Sequence, residues 1–251
     1  GLPVDLGPVT ITEEPSSDEK NQIEWAGKIN YTNSKLDLGL AFFMGRQRSP
    51  YILSDTPSSL SAVHFSYPKI TMLGLEFERP FSNWVFRMDS ALISGENTDQ
   101  FNLNSINPYV ETSFALESKI NTSFRAIVYP ILKNFINFKT QEEVSTSSDY
   151  NAIEKQLYLF NRIINGYQYK DQNSMGLRLS YESESLSHTA SIFYLKNFTT
   201  EESYLQWDYK YVLNDSLELG VGVLNYEGSD QTRFGLLAEK SSYFSKITYW
   251  F

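Results

Sequence analysis

The chain has 251 residues, 21 Lys and Arg against 30 Asp and Glu for a net charge of −9, and no cysteine. Such a balance disfavours nucleic acid or an anionic lipid surface as a general partner, and without Cys there are neither disulfides nor thiolate chemistry. Mean hydropathy is −0.35 and no run of 18 apolar residues occurs, which excludes a transmembrane helix but not membrane strands, whose apolar residues are diluted by alternation.

In chain order, residues 3–12 form a weak candidate strand, interrupted by Pro3, Gly7 and Pro8. Residues 23–31 alternate: Ile23, Trp25, Ile29 and Tyr31 on one face, Glu24, Lys28 and Asn30 on the other. The pattern returns in 36–46, where Leu36, Leu38, Leu40, Phe42 and Met44 oppose Asp37, Gly39, Ala41 and Gly45. In 70–79, Leu73, Leu75 and Phe77 oppose Gly74, Glu76 and Glu78, and in 84–93 Trp84, Phe86, Met88 and Leu92 oppose Arg87, Asp89 and Ala91. Residues 107–117 and 121–131 continue it, as do 174–183, 203–213 and 216–226; 188–197 alternate poorly. Residues 243–251 close the series, with Tyr243, Ile247, Tyr249 and Phe251 on one face. Each of these eleven segments is close to the roughly 9–11 residues that a tilted strand needs to cross a bilayer.

The polar faces mix Gly, Ala and Ser with isolated charges rather than the Lys/Glu/Thr surface of a soluble sandwich, as a wet lumen requires. Short polar turns are expected at 32–35, 80–83, 117–121, 183–187 and 214–216, and longer links at 47–66, 94–106, 133–173, 198–202 and 227–241. If Phe251 ends in the periplasm, strand parity puts all five short turns on that side and the long links outside, the usual asymmetry of such barrels. The same parity makes the chain enter 23–31 from the outside. Either 3–12 is a rising strand, giving twelve, or earlier strands come from elsewhere; the second fits better. The expected fold is thus an all-β antiparallel transmembrane barrel with at least 11–12 strands in this chain, part of a larger barrel, with 1–22 a loop or single strand before the barrel strands of 23–251.

Inward charges Arg87, Asp89, Glu111, Arg125, Arg178, Asp208 and Lys210 are the candidate pore lining. They either form a constriction that selects solutes, since fixed charges act strongly in a narrow low-dielectric pore, or pair across strands and stiffen the wall. Within 133–173, Ile153, Leu157, Phe160 and Ile164 fall at helical spacing, which predicts a helix in an otherwise overlong link. It can plug or lid the mouth or pack on neighbouring loops; two further strands are the other option. His64 and Ser66 lie on one face of an extended stretch, but no third group or oxyanion site accompanies them, and no catalytic residue is assigned. The acidic runs 95–100 and 228–231 lack EF-hand spacing, so neither metal nor cofactor is expected.

Several motifs resemble one family. The run Glu24-Trp-Ala-Gly-Lys-Ile-Asn is followed by Leu38-Gly-Leu-Ala-Phe-Phe-Met-Gly-Arg and Pro50. Tyr67-Pro-Lys-Ile-Thr-Met-Leu-Gly-Leu-Glu-Phe-Glu-Arg precedes Arg87 and Asp89. Leu213-Asn-Asp-Ser-Leu-Glu-Leu-Gly-Val-Gly, Gly228, Phe234-Gly235 and the closing Tyr249-Trp-Phe complete the set. Together they are similar to largely uncharacterised, porin-like Gram-negative outer-membrane barrels encoded beside RND-type exporters and lipid-carrier-like periplasmic proteins. Asp89 departs from that pattern, where Glu is expected. Members are longer, with extra strands N-terminal to the matched part. The resemblance implies an outer-membrane location and transport of a solute or an apolar, lipid-like cargo, without chemistry by the protein itself. It also implies outer-membrane lipid and a periplasmic carrier or other complex subunits as partners. The final strand resembles the C-terminal signal of such barrels, with Ile247, Tyr249 and Phe251 read by the barrel-assembly machinery. A barrel that encloses or anchors a partner protein is the alternative, and an outer-membrane hydrolase a more distant one.

Overall fold

The computed structural model describes residues 10–12, 23–56, 59–95, 107–148, 150–183, 185 and 187–250. Strands β1 (Thr10–Thr12), β2 (Trp25–Thr32), β3 (Asp37–Arg46), β4 (Tyr51–Thr56), β5 (Ser59–Ser66), β6 (Lys69–Phe81) and β7 (Trp84–Gly95) make up the first half. β8 (Tyr109–Lys119) and β9 (Phe124–Phe135) lead into helices α1 (Gln141–Thr146) and α2 (Ala152–Asn165). β10 (Asp171–Glu182), β11 (His188–Asn197), β12 (Glu202–Asn214), β13 (Leu217–Glu227), a 3₁₀ turn (Gly235–Lys240) and β14 (Ser242–Tyr249) follow.

Eleven strands form one antiparallel sheet in the order β14-β13-β12-β11-β10-β9-β8-β7-β6-β3-β2, a meander whose neighbours in sequence are neighbours in space. These are the eleven alternating segments read from the sequence. The sheet is open, with β2 and β14 at its two edges. All five short turns lie at one end and all long links at the other, because each antiparallel step reverses the direction of the chain. Asn33, Asn121 and Asn214 close three of the short turns by accepting backbone N–H groups two or three residues on. The turn before β9 lies at 120–123, beyond the 117–121 expected, since Glu117 and Lys119 still pair within the sheet.

Two expectations are corrected. Residues 10–12 are not a barrel strand: they pair in parallel with Ala62, Val63 and His64 of β5, in a separate three-stranded sheet ordered β1-β5-β4. Residues 3–9 lie outside the described residues. The link 47–66 is itself folded, as the β4–β5 hairpin of that small sheet. Its alternation runs over short strands and carries no charge asymmetry, so the sequence read as a loop. The chain nevertheless comes to β2 from the long-link end, as parity requires.

Poor alternation in 188–197 also has a cause. In β11 the inward face carries Phe193, whose ring stacks on Tyr129 at 5.7 Å and meets Tyr204 edge-on at 5.8 Å. An aromatic cluster on the polar side erases the hydrophobic contrast while leaving the ladder to both neighbours intact. Gly176 faces Tyr129 across β9–β10, and a Cβ there would stand 2.0 Å from the Tyr129 ring. The missing side chain lets the ring lie flat on the backbone.

Candidate functional site

Register decides what each face carries. Paired residues in an antiparallel ladder share a face, so Glu76↔Asp89, Glu78↔Arg87, Ala91↔Glu111 and Lys119↔Arg125 carry one face from β6 to β9. Ile127↔Arg178, Ser191↔Asp208 and Thr189↔Lys210 carry the same face on to β12. All seven predicted lining residues, Arg87, Asp89, Glu111, Arg125, Arg178, Asp208 and Lys210, therefore lie on a single face. The opposite face carries Leu38, Leu40, Phe42, Leu73, Leu75, Leu92, Leu116 and Val128, all exposed; Leu40 is 61% and Leu73 55% accessible. An apolar exterior opposite a charged, more enclosed face is the inverse of a water-soluble sheet, and it matches a wall with lipid outside.

Most charges on the enclosed face are paired. Arg87 bonds both Glu78 (2.7 Å) and Glu117, and Glu117 also meets Arg125 at 3.2 Å. Glu78–Arg87–Glu117–Arg125 is thus a ladder of alternating charge across four strands. Lys28–Glu76 (2.5 Å), Lys133–Glu111 (2.7 Å) and Lys210–Glu218 (3.2 Å) are further pairs. Asp208 accepts from Ser191 and, at 2.7 Å, from Gln206. Among the described residues Asp89 and Arg178 make no ion pair; Asp89 stands opposite Glu76 in a cleft of about 220 Å³ with Lys28, Glu78 and Arg87. Arg87, Glu111, Arg125 and Lys210 are thus ion-paired across strands, whereas Asp89 and Arg178 are not. Sequence reading missed the partners Lys28, Glu76, Glu78, Glu117, Lys133 and Glu218 as site residues. Their signal was their place on the polar face, but pairing needs register, which single strands do not display.

At the long-link end, α2 folds over the same face. The helix starts at Asn151, whose side chain accepts from Glu154 while Glu154 reaches back to the Asn151 N–H, and it ends at Gly166 with φ of 69°. Leu157 and Phe160 of the predicted stripe are buried, and Ile153 and Ile164 are half-buried. Asn161 grips β4 with both ends of its amide: Ile52 N–H donates to Oδ1 (2.7 Å) and Nδ2 donates to Ile52 C=O (2.8 Å). Asn165 donates to Pro50 C=O and accepts from Gln47. Tyr167, following the helix, packs on inward-facing Tyr109 and Phe135 at 5.6 and 5.1 Å, with the Lys133 ammonium over the Tyr109 ring at 4.8 Å. Phe135 is fully buried. Burial drives the Tyr51 and Tyr167 hydroxyls well above their ordinary range, so both stay neutral donors. Gln168 donates to the Gln231 carbonyl and Phe234 N–H donates to Glu202, tying the β13–β14 loop to the same mouth.

His64 sits on β5 at this end, opposite Leu53, whereas His188 begins β11 at the short-turn end and contacts Tyr209 at 2.7 Å. Ile247 and Tyr249, expected as part of a terminal assembly signal, are exposed on the apolar face of β14; Phe251 lies outside the described residues, as does most of the acidic run 95–100.

No family model and no curated relative matches the chain. Among solved structures it is similar to a porin refined at 1.8 Å resolution, at 11% identity over 80% of this chain and 55% of that one, with a TM-score of 0.50. Weaker likenesses include OccK5 (OpdH) of Pseudomonas aeruginosa, at 13% identity over 82% and 53% of the two chains with a TM-score of 0.47. Outer membrane phospholipase A of Escherichia coli follows at 12% identity, 90% and 80% coverage and a TM-score of 0.38. At those two scores the likeness carries no argument. The chain spans about half the length of the porin it matches, and it has that porin's fold: an antiparallel transmembrane β-barrel wall, eleven strands of which it supplies as one open sheet.

Proposed function

We propose that this chain forms wall and mouth of a bacterial outer-membrane channel that passes solutes without chemistry of its own. The reading rests on one observation: every predicted lining charge shares a face, and the exposed Leu38, Leu40, Phe42, Leu73, Leu75, Leu92, Leu116 and Val128 share the other. Lipid would wet the apolar face, and a low-dielectric wall would strengthen the field of Asp89 and Arg178 at the water-filled one. An unpaired strand edge is unstable in hydrocarbon, so β2 and β14 need pairing partners in the membrane.

The family resemblance supports an apolar or lipid-like cargo delivered by a periplasmic carrier, and the folded mouth suits a gated path better than a wide pore. Planar-bilayer recording on the purified protein tests the channel. Discrete conductance steps are expected; a reconstituted but silent barrel would sink free passage and favour a barrel that encloses or anchors a partner.

A further inference from the structure

The mouth contains a cavity of about 640 Å³ between α1, α2, segment 166–170 and the β13–β14 loop. Pockets of several hundred Å³ with apolar walls and few polar groups are the usual size and make-up of small-molecule sites. Here Phe138, Leu159, Phe160 and Ile163 supply an apolar wall, while most of the remaining lining is polar, Gln168, Thr232 and the exposed Lys170 among it.

Arg162 is the unusual member. It lines the cavity yet is only 6% exposed. Its Nη2 donates to the Tyr158 hydroxyl at 2.8 Å, and its guanidinium lies 4.3 Å from the Phe138 ring centre and 4.5 Å from that of Tyr158. Nη1 is buried without a hydrogen-bond partner, and among the described residues Arg162 forms no ion pair. Glu142, which also lines the cavity, is exposed to solvent. Desolvation draws the Arg162 pKa down, but a guanidinium keeps its charge at neutral pH. Two aromatic faces compensate such a cation partly. An unused donor on a buried charge is still costly, and the cost disappears when an anion docks.

We propose that this cavity binds an amphipathic organic anion, its oxyanion head beside the Arg162 guanidinium and its hydrocarbon body against Phe138, Leu159, Phe160 and Ile163. The inference deepens the channel reading by naming the chemical class of the solute, and rests on that reading only for what happens after binding.

The test uses the full chain in lipid nanodiscs at pH 8, titrated calorimetrically against empty discs with decanoate, decyl phosphate, decanol and acetate. At least one alkyl anion should bind on the order of tenfold more tightly than decanol, the scale of one charge-assisted hydrogen bond, and acetate should not bind. Which anion wins tells a free fatty acid from a phosphate-headed lipid. Arg162→Met should abolish the preference for charge, and Ile163→Trp, which keeps Arg162 and fills the cavity, should abolish binding of all four. Equal binding of decanol and both anions overturns the proposal, as does an unchanged preference in Arg162→Met, binding of acetate as tight as that of decanoate, or no binding at all. The two readings fail separately. Anion preference in a barrel that is silent in planar bilayers removes the channel and leaves the site; conductance without the preference does the reverse.

Discussion

The wall and the mouth of this molecule are built by opposite rules. In the strands, most exposed aliphatic residues face outward, and carboxylates, guanidinia, small residues and an aromatic cluster around Phe193 face the enclosed side. In the mouth, Leu157, Phe160, Val144 and the stacked Tyr150–Tyr158 pair are buried and the charges of α1 stay at the surface, as in any water-soluble domain. The difference teaches which solvent each part is designed against. A lipid-facing wall obtains its order from closed backbone ladders, because hydrocarbon offers apolar side chains no reason to cluster. The mouth stands in water, so it needs its own core and specific amide contacts to hold a helix against a hairpin edge.

The strongest way to break that comparison is to put a charge on the outer face. Leu75→Arg, near the middle of β6, should cost about 2–4 kcal/mol of stability in lipid vesicles. Ser113→Arg, on the charged face beside Asp89, should change it by less than about 1 kcal/mol. Urea titrations of the reconstituted variants measure both, and equal costs would remove the lipid-facing assignment.

Next in size, Asn161→Ala removes both amide bonds to Ile52 and should cost the mouth about 1–2 kcal/mol by leaving half-buried backbone groups unpaired. Hydrogen exchange should quicken in α2 and β4 while β6–β9 stay protected; slowing or no change in α2 would show that the helix is held by apolar packing alone.

Within the wall, neutralising the charges that make no ion pair should alter selectivity with little effect on folding. Asp89→Asn should make the channel less cation-selective and Arg178→Gln less anion-selective, each with a stability change under about 1 kcal/mol. Reversal potentials under a salt gradient decide it, and shifts of the same sign would mean that these two residues do not face the ion path.

The smallest effect lies in α1. Backbone and side-chain bonds within the Thr140 capping box hold the Glu143 carboxyl below its ordinary value. A depressed folded-state pKa gives stability that is present above the unfolded value, near 4.5, and is lost as pH falls through the lower folded value. Acid should therefore fray α1, seen as a lower protection factor of the Val144 amide below about pH 4.5, and Glu143→Gln should remove that pH dependence.

Much of this could be read before any fold was known. Alternation of period two marked ten of the eleven wall strands clearly, all but 188–197, since a sheet with unlike faces imposes unlike residues at successive positions. Turn parity gave the two ends, and the spacing of Leu157 and Phe160 gave the helix. What the sequence withheld depends on residues far apart in the chain. Whether Arg87 meets Glu117, 30 positions away, depends on the register of β7 against β8. That Asn161 caps an edge residue at position 52, or that Arg162 lies buried beside a cavity, follows from how α2 lies over the mouth. Local pattern determined the faces of each strand because burial acts residue by residue; tertiary structure alone decided the pairs, the folded mouth and the unsatisfied guanidinium, because those contacts require distant segments to meet at one register.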